Sequence, residues 1–133
     1  MKEGFISDRA TGKILDGRKP EEAVRQNYEK ELCEDYGYSY QQMDIEVSIQ
    51  RGERNSAKNK NERADIVIFG STDKNKRDQS KDIIGIIETK RPTKKEGIKQ
   101  LASYMSATSA IWGVWTNGSD IEYLYRDTKS GAI

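Results

Sequence analysis

Four isoleucines around one glycine, Ile83-Ile84-Gly85-Ile86-Ile87, run straight into Glu88-Thr89-Lys90, and this stretch constrains the chain more than any other. Strand side chains alternate between faces, so isoleucines at successive positions need apolar cover on both sides. The stretch is therefore a central strand with a layer above and below it. The chain has 133 residues, enough for one domain with its own core. Hydrophobic residues make up 34% and charged residues another 34%, a lean composition. It fits either long solvated loops on a compact core or a piece that leans on further chain.

The other elements follow from pattern. Residues 5–15 around Thr11-Gly12 read as a hairpin or arm. Pro20 opens a helix at its favoured first position, with Glu21 and Glu22 in the first turn. Val24, Tyr28 and Leu32 form its buried stripe, and Gly37 closes the region. Ile45, Val47 and Ile49 alternate with Glu46 and Ser48 as a half-buried strand. Residues 52–62 are a basic loop. Ala64 to Phe69 is a strand that is apolar except at Asp65, and residues 70–82 are a long polar connection. After the central strand, Pro92 ends the run and a helix is predicted from Lys95 to Ala107, with Ile98, Leu101 and Met105 inward. Residues 111–116 and 121–126 are strands joined by the turn signal Asn117-Gly118. Trp112, Trp115, Tyr123 and Tyr125 on these strands are expected in the core, with base stacking as the other use of such rings. The order predicts an α/β sandwich, a central mixed β-sheet flanked by helices.

Several function classes are excluded. No run of about 18 apolar residues is present, so no membrane-spanning helix is expected. The N-terminus lacks a signal-peptide core. Cys33 stands alone and has no partner for an internal disulfide, which suits a cytoplasmic location; it reads as a small buried filler. There is no histidine, which removes imidazole catalysis and histidine zinc sites. Without a Walker-type loop, no ATP site is expected.

Charge is uneven. Residues 21–46 carry two basic and eight acidic side chains, a net of −6. Residues 51–63 carry a net of +3 and residues 90–99 a net of +4. Such runs are either solvated faces or, together, the acids that hold a cation and the bases that hold phosphates. Asp65, Glu88 and Lys90 break apolar strands. Glu88 and Lys90 are two apart and so share a face. Asp65 and Glu88 on neighbouring strands can converge on Mg²⁺, with the Thr89 carbonyl as a further oxygen and Lys90 beside the attacked phosphate. The alternative is an ordinary ion pair at a strand end. Glu21 lies on the Val24–Tyr28 stripe and can reach the sheet, with Arg25 a turn further on, although both first-turn glutamates also suit the helix dipole. Gln100 and Tyr104 share a helix face and can touch DNA or brace Lys90.

Pro20-Glu21-Glu22-Ala23-Val24-Arg25-Gln26, then Glu46, Ala64-Asp65, Glu88-Thr89-Lys90, Gln100-x-x-x-Tyr104 and Thr116-Asn117-Gly118 occur in this order over about three-quarters of the chain. The ordered set resembles the PD-(D/E)xK nuclease superfamily, and within it the N-terminal nuclease domain of type I restriction enzyme R subunits. The resemblance implies a restriction-endonuclease-like fold and a Mg²⁺-dependent DNA endonuclease, with Mn²⁺ able to substitute. It assigns metal binding to Asp65 and Glu88, support of hydrolysis to Lys90, a helix-one contribution to Glu21 or Glu22, and the glutamine–tyrosine pair to Gln100 and Tyr104. Two features depart from the pattern: alanine rather than proline precedes Asp65, and a charged insert occupies 70–82, near the site or far from it.

The expected organisation is one nuclease-like domain over 1–133, with an arm at 1–19 and a core at 20–126, detached from a larger restriction enzyme. Double-stranded DNA is the expected partner, gripped at its backbone by Arg91, Lys94, Lys95 and Lys99. A helicase-like motor and methyltransferase and specificity subunits are implied by the resemblance. The rival expectation is a nuclease-like DNA-binding or docking module without turnover; a third is an α/β domain whose strand-end charges are simple ion pairs.

Overall fold

The computed structural model describes residues 3–49, 63–90, 97–127 and 129–133. Its centre is the isoleucine strand. β1 (Phe5–Ser7) and β2 (Ile14–Asp16) pair as an antiparallel arm. α1 (Pro20–Glu34) follows, then β3 (Met43–Ser48), β4 (Arg63–Phe69), β5 (Ile83–Thr89), α2 (Ile98–Ser106), β6 (Trp112–Thr116) and β7 (Ile121–Tyr125). The five-stranded sheet has the order β3-β4-β5-β6-β7 and is antiparallel except between β5 and β6. Among the described residues it is a mixed sheet with one α-helix on each face, the α/β sandwich that the element order predicts.

β5 is central because its isoleucines serve both layers. Ile83 and Ile86 join Leu101 and Met105 on the α2 side. Ile87 joins Tyr28 and Leu32 on the α1 side. Gly85 has no side chain for a packing reason: a Cβ there would stand 2.4 Å from the Trp112 ring.

Four expectations are corrected. The apolar residues of β3 do not share one face. Met43 and Ile45 belong to the α1-side core, whereas Val47 and Ile49 pack with the α2 side. Glu46 between them has φ +51°, which turns the strand over. The second helix begins at Ile98, with Gly97 at its N-cap at φ +112°, outside helical geometry, and Lys95 lies outside the described residues. Tyr123 and Tyr125 are not core residues; they are 47% and 66% exposed on the outermost strand. Tyr104 is 0% exposed, which takes it out of direct DNA contact and makes it part of the α2-side core.

The 70–82 connection joins the end of β4 to the start of β5, so it lies at the opposite end of those strands from Asp65 and Glu88. It is tied down: Arg77 donates to the Gln41 carbonyl at 2.7 Å and lies over the Phe69 ring at 4.4 Å. The 52–62 loop lies outside the described residues, as do Arg91, Lys94 and Lys95. Among the described residues, no helix is long and apolar enough to cross a membrane.

Candidate active site

The antiparallel register of β4 and β5 pairs Ile66 with Ile87. One step further, it sets Asp65 against Glu88. Glu88 lies on the α2 side of the sheet, two residues from Ile86 and paired with Trp115, and Asp65 meets it at the strand ends. Asp65 Oδ2 accepts from the Thr89 N–H at 2.7 Å and the Thr89 hydroxyl at 3.2 Å. Glu88 Oε1 accepts from the Asp65 N–H at 3.3 Å, and Lys90 Nζ stands 3.7 Å from Glu88 Oε2. Glu88 is 1% exposed. The two carboxyls and the ammonium thus form one cluster at the strand ends.

Electrostatics follow from that placement. Burial, and next the charge of Asp65, pushes the Glu88 carboxyl up to about 8 against the pull of Lys90. Burial also raises Asp65, offset in part by the Thr89 N–H, Lys90 and Arg25. Lys90 is fixed by the sheet. Its N–H donates to the Thr116 carbonyl at 2.9 Å, and its stem crosses Gly97, where a Cβ would meet Lys90 Cε at 2.8 Å.

α1 brings a second buried polar set. Arg25 donates from Nε to Glu22 Oε1 at 2.9 Å and from Nη2 to Glu22 Oε2. It also stands 3.5 Å from Glu46 Oε1 and acts electrostatically on Asp65. Burial alone would make the Arg25 guanidinium easier to deprotonate, but Glu22, with Asp65 and Glu46 behind it, outweighs this and raises it. Arg25 is 6% exposed, which places it as support of the acidic cluster. Glu22 is therefore engaged with Arg25. Glu21 has one oxygen, Oε2, shielded from solvent with no hydrogen-bond partner among the described residues.

Three further residues extend this set: Gln26, which the sequence shows only as the last residue of the Pro20–Gln26 motif, and Asp8 and Glu29, to which the sequence assigns no role. Gln26 Nε2 donates to Glu22 Oε1 at 3.0 Å and to Asp8 Oδ1 at 2.7 Å. Asp8 caps the arm's turn, accepting from the Thr11 N–H and hydroxyl at 2.9 and 2.8 Å. Glu29, fully buried, accepts from the Ala10 N–H at 3.1 Å. Burial, and next the neighbouring Asp8, push the Glu29 carboxyl up to about 9. Burial opposes ionisation of Asp8, but hydrogen bonds from Glu29, Gln26 and Thr11 outweigh it and hold its carboxyl below the usual range. The spacing of Glu22, Gln26 and Glu29 puts them on one helix face, a signal available from sequence. Asp8 carries a turn signal, but nothing local tells which helix receives it.

The remaining candidates separate. Gln100 is half-buried on α2 and Lys99 is exposed beside it. Among the described residues, no group of three acidic or cysteine side chains forms a metal-holding cluster on its own.

A mixed sheet with, among the described residues, one α-helix per face and with two carboxyls and a lysine clustered at its strand ends defines an α/β domain with a candidate functional site. The family profile described as type I restriction enzyme R protein N terminus matches residues 20–133, and the chain belongs to that family. No curated protein and no solved structure matches it. The family places the chain in the setting of a restriction complex.

Proposed function

We propose that the chain is a Mg²⁺-dependent DNA endonuclease domain of the PD-(D/E)xK type, the cleaving part of a type I restriction enzyme R subunit. One observation carries this reading: Asp65 and Glu88 face each other across β4 and β5, with the Lys90 ammonium 3.7 Å from Glu88.

The donor set fits a hard divalent cation. Burial makes both carboxyls reluctant to ionise, and Asp65 adds to this at Glu88. A cation held between them would remove that cost. Two protein carboxylates, with the Thr89 carbonyl as a third oxygen, leave positions for water and a phosphate oxygen, as Mg²⁺ sites commonly do. When bound, the ion would polarise the scissile phosphate and acidify a water. Lys90 would orient that water and offset charge gathering on the phosphate. Arg25, locked to Glu22, would hold a fixed positive charge behind Asp65. Arg91, Lys94, Lys95 and Lys99 would grip the DNA backbone.

The test is cation titration by calorimetry, with and without duplex DNA, on the wild type and on Asp65→Asn, followed by a cleavage assay with Lys90→Ala. Mn²⁺ or Mg²⁺ binding that Asp65→Asn removes, and cutting that Lys90→Ala abolishes while the fold persists, is the expected outcome. DNA binding that needs no divalent ion and survives Asp65→Asn, with no cutting, would leave a docking module instead.

A further inference from the structure

On the sheet face opposite Glu88, α1 lies over β4 and β5 and, among the described residues, no helix covers β7. Ile121, Tyr123 and Tyr125 point to that face at 42%, 47% and 66% exposure. Between them and α1 runs a cleft in two connected parts. One is a groove of about 310 Å³ walled by Tyr28, Tyr36, Trp112 and Tyr125. The other, about 360 Å³, continues past Tyr28 towards Glu31 and Asp120. Among the described residues, no lysine or arginine lines either part.

Two features describe what would fill it. The first is shape: bare β7 and the half-buried Trp112 of β6 make an apolar floor beside α1, while Val114 of β6 is already covered at 3% exposure. The charge is the second. The last turns of α1 carry Glu31 and Glu34, with Asp35 at the C-cap and no basic residue in the last turn. These acids stand at the negative end of the helix dipole, where cations are favoured and anions are not. Glu31 acts electrostatically on both Tyr28 and Tyr123, so the acidic edge and the aromatic floor are one surface.

We propose that this cleft docks a cationic amphipathic helix of a partner protein. The helix would lie beside α1 across β6 and β7, with its apolar stripe on Trp112, Tyr123 and Tyr125. Its lysines and arginines would meet Glu31, Glu34 and Asp35, completing the unbalanced end of α1 and lying over tyrosine faces that attract cations. Nucleic acid is the poorer occupant, because its phosphates would face these acids. The site is on the opposite sheet face from Lys90, so the proposal stands apart from the nuclease reading.

The test uses the 133-residue chain and two labelled 18-residue probes, a leucine–lysine amphipathic helix and its leucine–glutamate counterpart, followed by anisotropy. The lysine probe is expected to bind at least tenfold more tightly than the glutamate probe. Tyr123→Ser/Tyr125→Ser should weaken it at least tenfold, and Glu31→Lys/Asp35→Lys at least fivefold, with circular dichroism unchanged. Should the tyrosine double variant not fold, the charge reversal alone decides. Equal binding of the two probes, or a preference that no variant alters, overturns the proposal. So does self-association by light scattering that the tyrosine variant dissolves, which would make the occupant a second copy. Binding of oligo-dT that the same variant removes would likewise overturn it in favour of stacked bases.

Discussion

Glu46 stands at the position opposite Asp65 in the β3–β4 ladder, and its rung is missing from an otherwise regular register running from Met43↔Ile68 to Ser48↔Arg63. The same residue has φ +51° and offers its carboxylate to Arg25 at 3.5 Å. The sheet is thus interrupted beside the residue whose carboxyl lies at the heart of the site. Backbone strain of this kind costs on the order of 1–3 kcal/mol and persists only where its surroundings enforce it.

Glycine accepts a positive φ freely, so Glu46→Gly should leave stability within about 1 kcal/mol of wild type. Glu46→Val forces a β-branched side chain into the left-handed region and should cost about 2 kcal/mol. Urea denaturation of the two variants checks this; a valine variant as stable as the glycine one would contradict it.

Glu88→Gln separates stability from function. It keeps the shape and removes a carboxyl that burial and Asp65 make costly to ionise. At pH 8–9 the variant should be more stable than wild type by roughly 1 kcal/mol and, if the nuclease reading holds, should lose cation binding. Thermal melts at pH 6 and 9, with Mn²⁺ titration, measure both. The gain should shrink at pH 6, where the wild-type carboxyl is protonated in the fold.

Glu29 gives the arm a pH dependence. Its folded value, about 9, lies above the ordinary carboxyl value of 4.5. A raised folded value means that the stabilisation is complete below the unfolded pKa and fades as pH rises through the folded one. The wild-type melting temperature should therefore fall between pH 5 and 9, as Glu29 loses its proton. Glu29→Gln keeps a donor towards Asp8 and should flatten that slope. Equal slopes in the two proteins would refute the assignment.

Gly97→Ala tests how Lys90 is seated. The site has φ +112°, and a Cβ would press on Lys90 Cε at 2.8 Å. A destabilisation of about 1–2 kcal/mol is expected from the backbone alone. If the nuclease reading holds, cleavage should fall further than stability explains, because the lysine is displaced from Glu88. Single-turnover cleavage at a temperature where both proteins are folded separates the two effects.

The sequence made some of this visible and hid the rest for physical reasons. The centrality of β5 was readable because isoleucines at successive positions demand cover on both faces. The shared face of Glu88 and Lys90 follows from strand period alone. The turnover of β3 at Glu46 was not readable, since glutamate carries no preference for positive φ and only the surrounding fold imposes it. Asp8, Gln26 and Glu29 form a buried set between the arm and α1; the helix spacing of Gln26 and Glu29 was readable, but nothing local marked Asp8 as their partner. The exposure of Tyr123 and Tyr125 was hidden because alternation says which residues share a face but not whether that face is covered.

The parallel pairing of β5 with β6 sets an order of assembly. Asp65 and Glu88 sit on antiparallel neighbours joined through residues 70–82, so they meet by a comparatively local closure. Lys90 takes its backbone anchor from Thr116, beyond the whole α2 crossover. Non-local parallel pairing of this sort forms slowly. A chain emerging from its N-terminus therefore has its acidic pair before its lysine is seated, and the complete constellation exists only once nearly all of the sheet has been made.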